Sequence, residues 1–330
     1  MEITKAILHI LDRDAGTLIC SQSLLDLKEY AVKQYLESVE KRLSKADFKK
    51  GNLASGSDLV SALSNLDDDF IETTTTIAQS LFDSLAISED APSGDLLFFE
   101  AKNLQDDRFF GLVKFNYKPS FTHHVTYLDD VMQNNIILNK TIFPSMTQTL
   151  EECVIVDLAQ LTTQVVEKKY SFEGQKRFVF TERWLQIDPT PTVSENLKIV
   201  KKAIKQVSDK YNTEEYVAFS QTQQAIFESI EEDGKIDNQK IADAVFDTNH
   251  EAKKDYLETI SQTKFSENIP NNLPKYEKKY SKQKFKLTNG IELVVPVDVF
   301  KDKDLIEFIN NPDGTISVMI KNVEEIINKF

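Results

Sequence analysis

Little in this 330-residue chain supports a covalent framework. Cys20 and Cys153 are its only cysteines, too few and too far apart for a disulfide scaffold, so both are expected as reduced thiols. Nine glycines and nine prolines are too few for a low-complexity linker or a barrel of short strands with a turn at every step. Histidine is equally scarce. His123 and His124 are neighbours that a strand would send to opposite faces, and His9 and His250 have no partner at ligand spacing, so no zinc site is expected. No apolar run nears the roughly 20 residues of a membrane-spanning helix. The two longest, residues 154–161 and 291–300, are interrupted by Asp157 and by Pro296 and Asp298. Residues 1–14 carry no small-residue cleavage site of an export signal. A soluble, intracellular chain is expected, with no membrane partner.

Catalytic signatures are also missing. There is no Gly-x-Ser-x-Gly and no Gly-x-Gly-x-x-Gly. Residues 51–57 have the glycine spacing of a P-loop, but no lysine follows Gly56, and a loop entering a helix capped by Ser57 explains them better.

What is present is acid. The net charge is −14, and it is unevenly spread. Residues 191–330 hold 20 basic and 24 acidic side chains, whereas the rest of the chain holds 19 and 29. Neither part is a nucleic-acid module on bulk charge, so contact with a polyanion requires a local patch of lysine or arginine.

The hydrophobic pattern describes an α+β protein. Residues 3–11 alternate as a strand, turn at Arg13-Asp14-Ala15-Gly16 and pair with residues 17–20. Residues 25–43 read as a helix, and a second helix, begun by Ser57 or Asp58, runs through Leu59, Leu63, Leu66, Phe70, Ile77 and Leu81. Within it, Asp67-Asp68-Asp69 reads as a solvated face. After Pro92-Ser93-Gly94 come strand-like segments 96–101, 109–117 and 123–128, antiparallel, with 135–142 and 154–158 continuing the same sheet. Residues 167–180 are ambiguous. Asp188-Pro189-Thr190-Pro191 stops any helix, and a domain boundary is expected there, giving an α+β domain over 1–190 and a helical domain with a C-terminal hairpin module over 191–330. Helices are expected over 194–210, 214–232, 237–246 and 251–265, the first capped by Ser194, and residues 270–274 end the helical run. Short strands follow around the turn dipeptides Asn289-Gly290 and Asp313-Gly314.

Two lysine groups stand out. Residues 275–286 read KYEKKYSKQKFK and place Lys275, Lys278, Lys279, Lys282, Lys284 and Lys286 among Tyr276, Tyr280 and Phe285. Lysines give point-charge phosphate contacts, and the aromatics can stack on bases or carry the lysine stems. A solvated linker is the plain alternative. On the helix 194–210, Lys198, Lys201, Lys202 and Lys205 form one stripe beside the apolar stripe, with an ordinary solvent face as the equally simple reading. A third cluster, Lys41, Arg42, Lys45, Lys49 and Lys50, is explained by the dipole at a helix C-terminus. Glu100-Ala101-Lys102 has the Glu-x-Lys spacing of many magnesium nucleases, with Asp95, Asp90 or Asp83 as a second carboxylate, but so short a triplet arises often by chance, and a surface ion pair is the default.

The order of segments resembles the nucleoid-associated NdpA/YejK-like family of bacterial proteins. The opening strand with Leu8-His9, Ser23-Leu24-Leu25 before a long helix, and Pro92-Ser93-Gly94-Asp95-Leu96-Leu97-Phe98-Phe99 are similar to it. So are Asp157-Leu158-Ala159, Lys176-Arg177-Phe178-Val179-Phe180 and the closing strands and turns over residues 291–299 and 311–321. Asp188-Pro189-Thr190-Pro191 departs from the family pattern. The resemblance covers most of the chain and implies a cytoplasmic protein on the nucleoid that binds DNA, duplex DNA foremost, and that contacts a topoisomerase or other nucleoid proteins. A homodimer is a further arrangement considered. The function expected is non-enzymatic DNA binding through the two lysine groups, with no cofactor. The alternatives are an adaptor whose acidic N-terminal half binds a basic partner, and a magnesium nuclease using Glu100 and Lys102.

Overall fold

The computed structural model describes residues 1–267 and 273–327, without the side chains of residues 273–275. The chain divides into two compact units, Met1–Thr192 and Val193–Phe330.

In chain order the first unit comprises β1 (Glu2–Asp12), β2 (Thr17–Ile19), α1 (Tyr30–Leu43), β3 (Lys49–Asn52), α2 (Asp58–Leu63), α3 (Phe70–Ala86), β4 (Gly94–Lys102) and β5 (Arg108–Asn116). Next come β6 (Lys118–Leu128), β7 (Val131–Ile142), β8 (Cys153–Asp157), β9 (Thr162–Val166), β10 (Lys169–Phe172), β11 (Gln175–Phe178) and a π-helical turn, Val179–Trp184. Seven of these strands form one antiparallel sheet in the order β2-β1-β4-β5-β8-β9-β3. Helices cover both of its faces. Leu36, Val39 and Leu43 of α1 pack with Ala6, Leu97, Phe99 and Phe115. Leu63, Ile77 and Leu81 of α2 and α3 pack with Ile7, Leu96, Phe98 and Phe110 on the other side. Burial on both faces is why the central strands read as almost unbroken apolar runs.

Several expectations fail for identifiable reasons. The helix foreseen from residue 25 begins at Tyr30, because the Asp26 carboxylate accepts the Lys28 N–H (2.9 Å) and Leu25 N–H donates to Ala6 O of β1 (2.9 Å). That local bonding competes with the helix ladder. The single second helix is two helices. Ser57 caps α2, and Asp69 restarts the helix at α3 by accepting the Glu72 N–H (2.9 Å). The acidic run is therefore a helix boundary, not a helical face. Residues 123–128 and 135–142 do not continue the sheet; β6 and β7 pair only with each other, and β5 hands the sheet directly to β8.

The second unit opens with four helices, α4 (Val193–Tyr211), α5 (Glu215–Asp233), α6 (Asn238–Phe246) and α7 (His250–Ser261). Val200, Ile204, Ile226, Ile230, Ile241 and Tyr256 form their common core. Because α4 begins at Val193, Ser194 lies inside its first turn and is not the cap. Gly234 ends α5 in the left-handed region (φ 69°), where glycine costs least, and Asp237 caps α6. Of the expected break at 270–274, residues 270–272 lie outside the described residues. Helix resumes in α8 (Leu273–Tyr280), so the lysine-rich segment is a helix running into a strand and not a linker. There follow β12 (Lys282–Lys286), β13 (Glu292–Pro296), α9 (Val297–Lys301), β14 (Ile306–Asn310) and β15 (Ile316–Ile320). The small terminal sheet is two separate hairpins, β12-β13 and β14-β15.

Candidate nucleic-acid interface

The two hairpins of the second unit dock on α5. Gln223 Nε2 donates to Lys282 O (2.7 Å), Gln283 Nε2 to Ser220 O (3.1 Å) and Asn310 Nδ2 to Glu214 Oε1 (2.7 Å). Phe308 packs at 5.1 Å on Phe285, at 5.7 Å on Phe300 and at 5.9 Å on Tyr216. Between these elements lies a cleft of about 670 Å³, with Tyr216, Phe219, Gln223, Phe285 and Phe308 among its walls and Lys284 and Lys286 along one side.

The cleft is bordered by two open strand edges. In the first hairpin, Val297 N–H donates to Ser281 O and Leu287 N–H to Ile291 O, which fixes the odd-numbered residues of β12 as those bonded to β13. The N–H and C=O of Lys284 and Lys286 therefore point away from β13. By the same argument from Asn311 N–H to Thr315 O and Lys321 N–H to Leu305 O, the open edge of β15 is that of Ile316 and Val318. All four of these residues border the cleft. A ligand there would meet backbone donors as well as ammonium groups.

Lys282, Lys284 and Lys286 are exposed on one face of β12, while Gln283 is buried on the other. Lys278 and Lys279 are exposed on the last turns of α8, with Lys279 Nζ 5.4 Å from the Tyr280 ring centre. Among the described residues, none of these five ammonium groups lies in an ion pair. The side chain of Lys275 lies outside the described residues. Lys198, Lys201, Lys202 and Lys205 are all exposed on α4, as the helical spacing requires. They are not equivalent. Lys205 is 3.2 Å from Glu215, whereas Lys201 sits over the Phe219 ring at 5.2 Å. Phe219 lines the cleft, so it joins Lys201 of α4 to Lys284 and Lys286 of β12. Among the described residues, nothing ties Lys198, Lys202, Lys205, Lys278 or Lys279 to the cleft itself. The aromatic and amide walls, Tyr216, Phe219, Gln223 and Phe308, were missed in the sequence. Tyr216, Phe219 and Gln223 share a helical face at i, i+3 and i+7, the one available signal.

The two side chains of the nuclease reading are both engaged in ion pairs. The Glu100 carboxylate accepts from Arg108 Nε (2.8 Å) and Nη2 (2.6 Å) and lies 3.4 Å from Lys5, and Lys102 pairs with Asp106 at 2.8 Å. Asp95 stands on the opposite face of β4 from Glu100, and among the described residues no three His, Cys, Asp or Glu side chains gather as metal ligands. The nuclease reading therefore has no constellation to rest on. In the third basic cluster, Lys49 reaches Glu167 (3.1 Å) and Arg42 is buried across the Tyr35 and Phe115 rings, which are structural duties. His9 is fully buried; it accepts the Ser21 N–H at Nδ1 (3.1 Å), leaving Nε2–H to meet Thr74 Oγ1 (3.1 Å), and burial drives its pKa down to about 4. Beneath the sheet surface, Glu152 Oε2 accepts from Asn116 Nδ2 (2.6 Å) and Tyr170 OH (2.8 Å) and lies 3.4 Å from Lys114 Nζ, with both charged side chains wholly buried. Burial lowers the Lys114 pKa against the pull of Glu152 and raises that of Tyr170.

No helix of the described residues is long and apolar enough to cross a membrane. A search of curated proteins finds no match. The family described as nucleoid-associated protein YejK matches residues 7–328, nearly the whole chain, and the chain belongs to that family.

Proposed function

We propose that the chain is a non-enzymatic, weakly sequence-selective DNA-binding protein that works on the nucleoid in the cytoplasm. Lys278, Lys279, Lys282, Lys284 and Lys286, with Lys275 before them, meet phosphates; Lys198, Lys201 and Lys202 extend that surface, and Lys205 contributes less because Glu215 already holds it. One observation carries the reading. On a chain of net charge −14, five successive lysines of one segment stand exposed and without a carboxylate partner among the described residues, and two of them border an aromatic cleft. Such a patch attracts a polyanion locally while the remaining acidic surface repels it, which favours a defined docking orientation. Membership of a nucleoid-associated family supports the same assignment.

The test is fluorescence anisotropy with a labelled DNA duplex. Lys284→Glu with Lys286→Glu is expected to weaken binding at least tenfold, while Lys33→Glu with Lys41→Glu on α1 changes it less than twofold. Equal losses from both pairs, or no binding by the unaltered chain, would remove the reading.

A further inference from the structure

The cleft beside β12 holds more than its lysines. Tyr216, Phe219, Phe285 and Phe308 are half-buried along it, so each keeps ring surface that its neighbours leave uncovered. Phe219 also carries Lys201 Nζ 5.2 Å from its ring centre. Two amide side chains join the rings on the cleft walls. Gln283 is only 1% exposed; its Nε2 donates to Ser220 O (3.1 Å), and among the described residues no donor reaches its Oε1. Gln223 likewise donates through Nε2 to Lys282 O (2.7 Å), and among the described residues its Oε1 receives nothing. Amide oxygens of this kind are open acceptors for the N–H groups of a ligand.

Ring faces, amide acceptors and the ammonium groups of Lys284 and Lys286 thus meet around about 670 Å³. A space of that size takes a small molecule or one projecting group of a larger one, not a double helix. In a closed duplex the base faces are covered by their neighbours, and the pairing edges by the opposite strand. An unpaired base offers its face to the rings and its N–H groups to the amides. An extended peptide could pair with the open edges of β12 and β15, but it would also need carboxylates placed at the lysines. A nucleic-acid strand brings a charge at every step. Lys282, Lys284 and Lys286 recur at every second residue of β12, about 6.8 Å apart, a spacing comparable with that between phosphates of an extended strand.

We propose that the cleft receives an unpaired base of single-stranded DNA, stacked against Tyr216 and Phe219, with its N–H groups toward Gln223 and Gln283 and the flanking phosphates on Lys284 and Lys286. This rests on β12 as the strand that contacts phosphates. It adds a preference for single-stranded or locally opened DNA over the closed duplex.

A thymine 12-mer with one central 5-iodouracil, alone or annealed to its complement, tests it with the full chain. The unaltered protein is expected to bind the single strand at least fivefold more tightly than the duplex, the worth of one stacked base. Ultraviolet cross-links, mapped by mass spectrometry, are expected at Tyr216 or Phe219 with the single strand and at neither with the duplex. Tyr216→Leu with Phe219→Leu keeps the walls apolar but removes the rings, and is expected to bind the two forms equally. Cross-linking of the unaltered chain needs no variant and decides even if the double variant folds poorly. Equal affinity of the unaltered chain for both forms, a preference that survives loss of both rings, or cross-links confined to other residues would each overturn the proposal. Duplex binding that requires Lys284 and Lys286 but comes with no preference for the single strand would overturn this proposal alone; failure to bind either form would remove the DNA reading with it.

Discussion

Neutralising Lys282, Lys284 and Lys286 to Gln gives the DNA reading its sharpest numerical consequence. All three are exposed on one face of β12 and none is held by a carboxylate among the described residues. Each lysine that contacts a phosphate on duplex DNA contributes about −0.9 to the slope of log K against log salt. If the five lysines from Lys278 to Lys286 all make contact, they contribute about −4.5 to the slope, and that share alone lowers affinity roughly 500-fold between 50 and 200 mM salt. The triple variant loses three of these contacts, so its slope is expected to be shallower than that of the unaltered chain by about 2.7. The assay is a salt titration of duplex binding by anisotropy. A second comparison adds discrimination: Lys202→Gln should flatten the slope more than Lys205→Gln, because Lys205 already spends its charge on Glu215 at 3.2 Å. A triple variant whose slope equals that of the unaltered chain would refute the placement of phosphates on β12, whatever its absolute affinity.

Three further outcomes concern the first unit. Gly111→Ala should destabilise it by at least 2 kcal/mol, read from urea melts, because a Cβ there would fall 2.0 Å from the Phe99 ring on the neighbouring strand. Lys114→Met should cost about 3–5 kcal/mol by leaving the Glu152 carboxylate buried without its cation, and adding Glu152→Leu should restore part of that loss. Burial raises the Asp95 pKa to about 6 from an ordinary carboxylate value, so the stability linked to its protonated form is full below about pH 4 and is lost as pH rises through 6. Asp95→Asn should therefore come close to the unaltered chain near pH 4 and gain on the order of 2–3 kcal/mol by pH 8, and thermal melts across that range would show a constant difference if the reasoning were wrong.

Patterns governed by local chemistry could be read in the sequence; partners in space could not. The alternation of residues 3–11, the Gly16 turn, the Ser57 cap and the hairpin dipeptides at Asn289-Gly290 and Asp313-Gly314 all announce themselves, and the structure contains them. The split between α2 and α3 was written in Asp69, whose capping role competes with the helical periodicity running through it. The departure of β6 and β7 from the sheet had no such mark. Their β-branched and aromatic residues predict strands equally well in a sheet or in a free arm, and only the pairing of β5 with β8 decides between them. For the candidate site, the exposure of the lysines followed from helical and strand periodicity. Their grouping around Phe219 did not, because it depends on where two hairpins far along the chain settle on α5.

Lysine footprinting is the most direct measurement of where DNA sits. The full chain would be acetylated briefly with and without saturating duplex DNA at low salt, and each lysine quantified by mass spectrometry. Strong protection is expected at Lys278, Lys279, Lys282, Lys284, Lys286 and Lys201, with Lys33, Lys41 and Lys140 labelled equally in both conditions. Protection concentrated on the first unit, with the lysines of α8 and β12 labelled as fast as in free protein, would contradict the account.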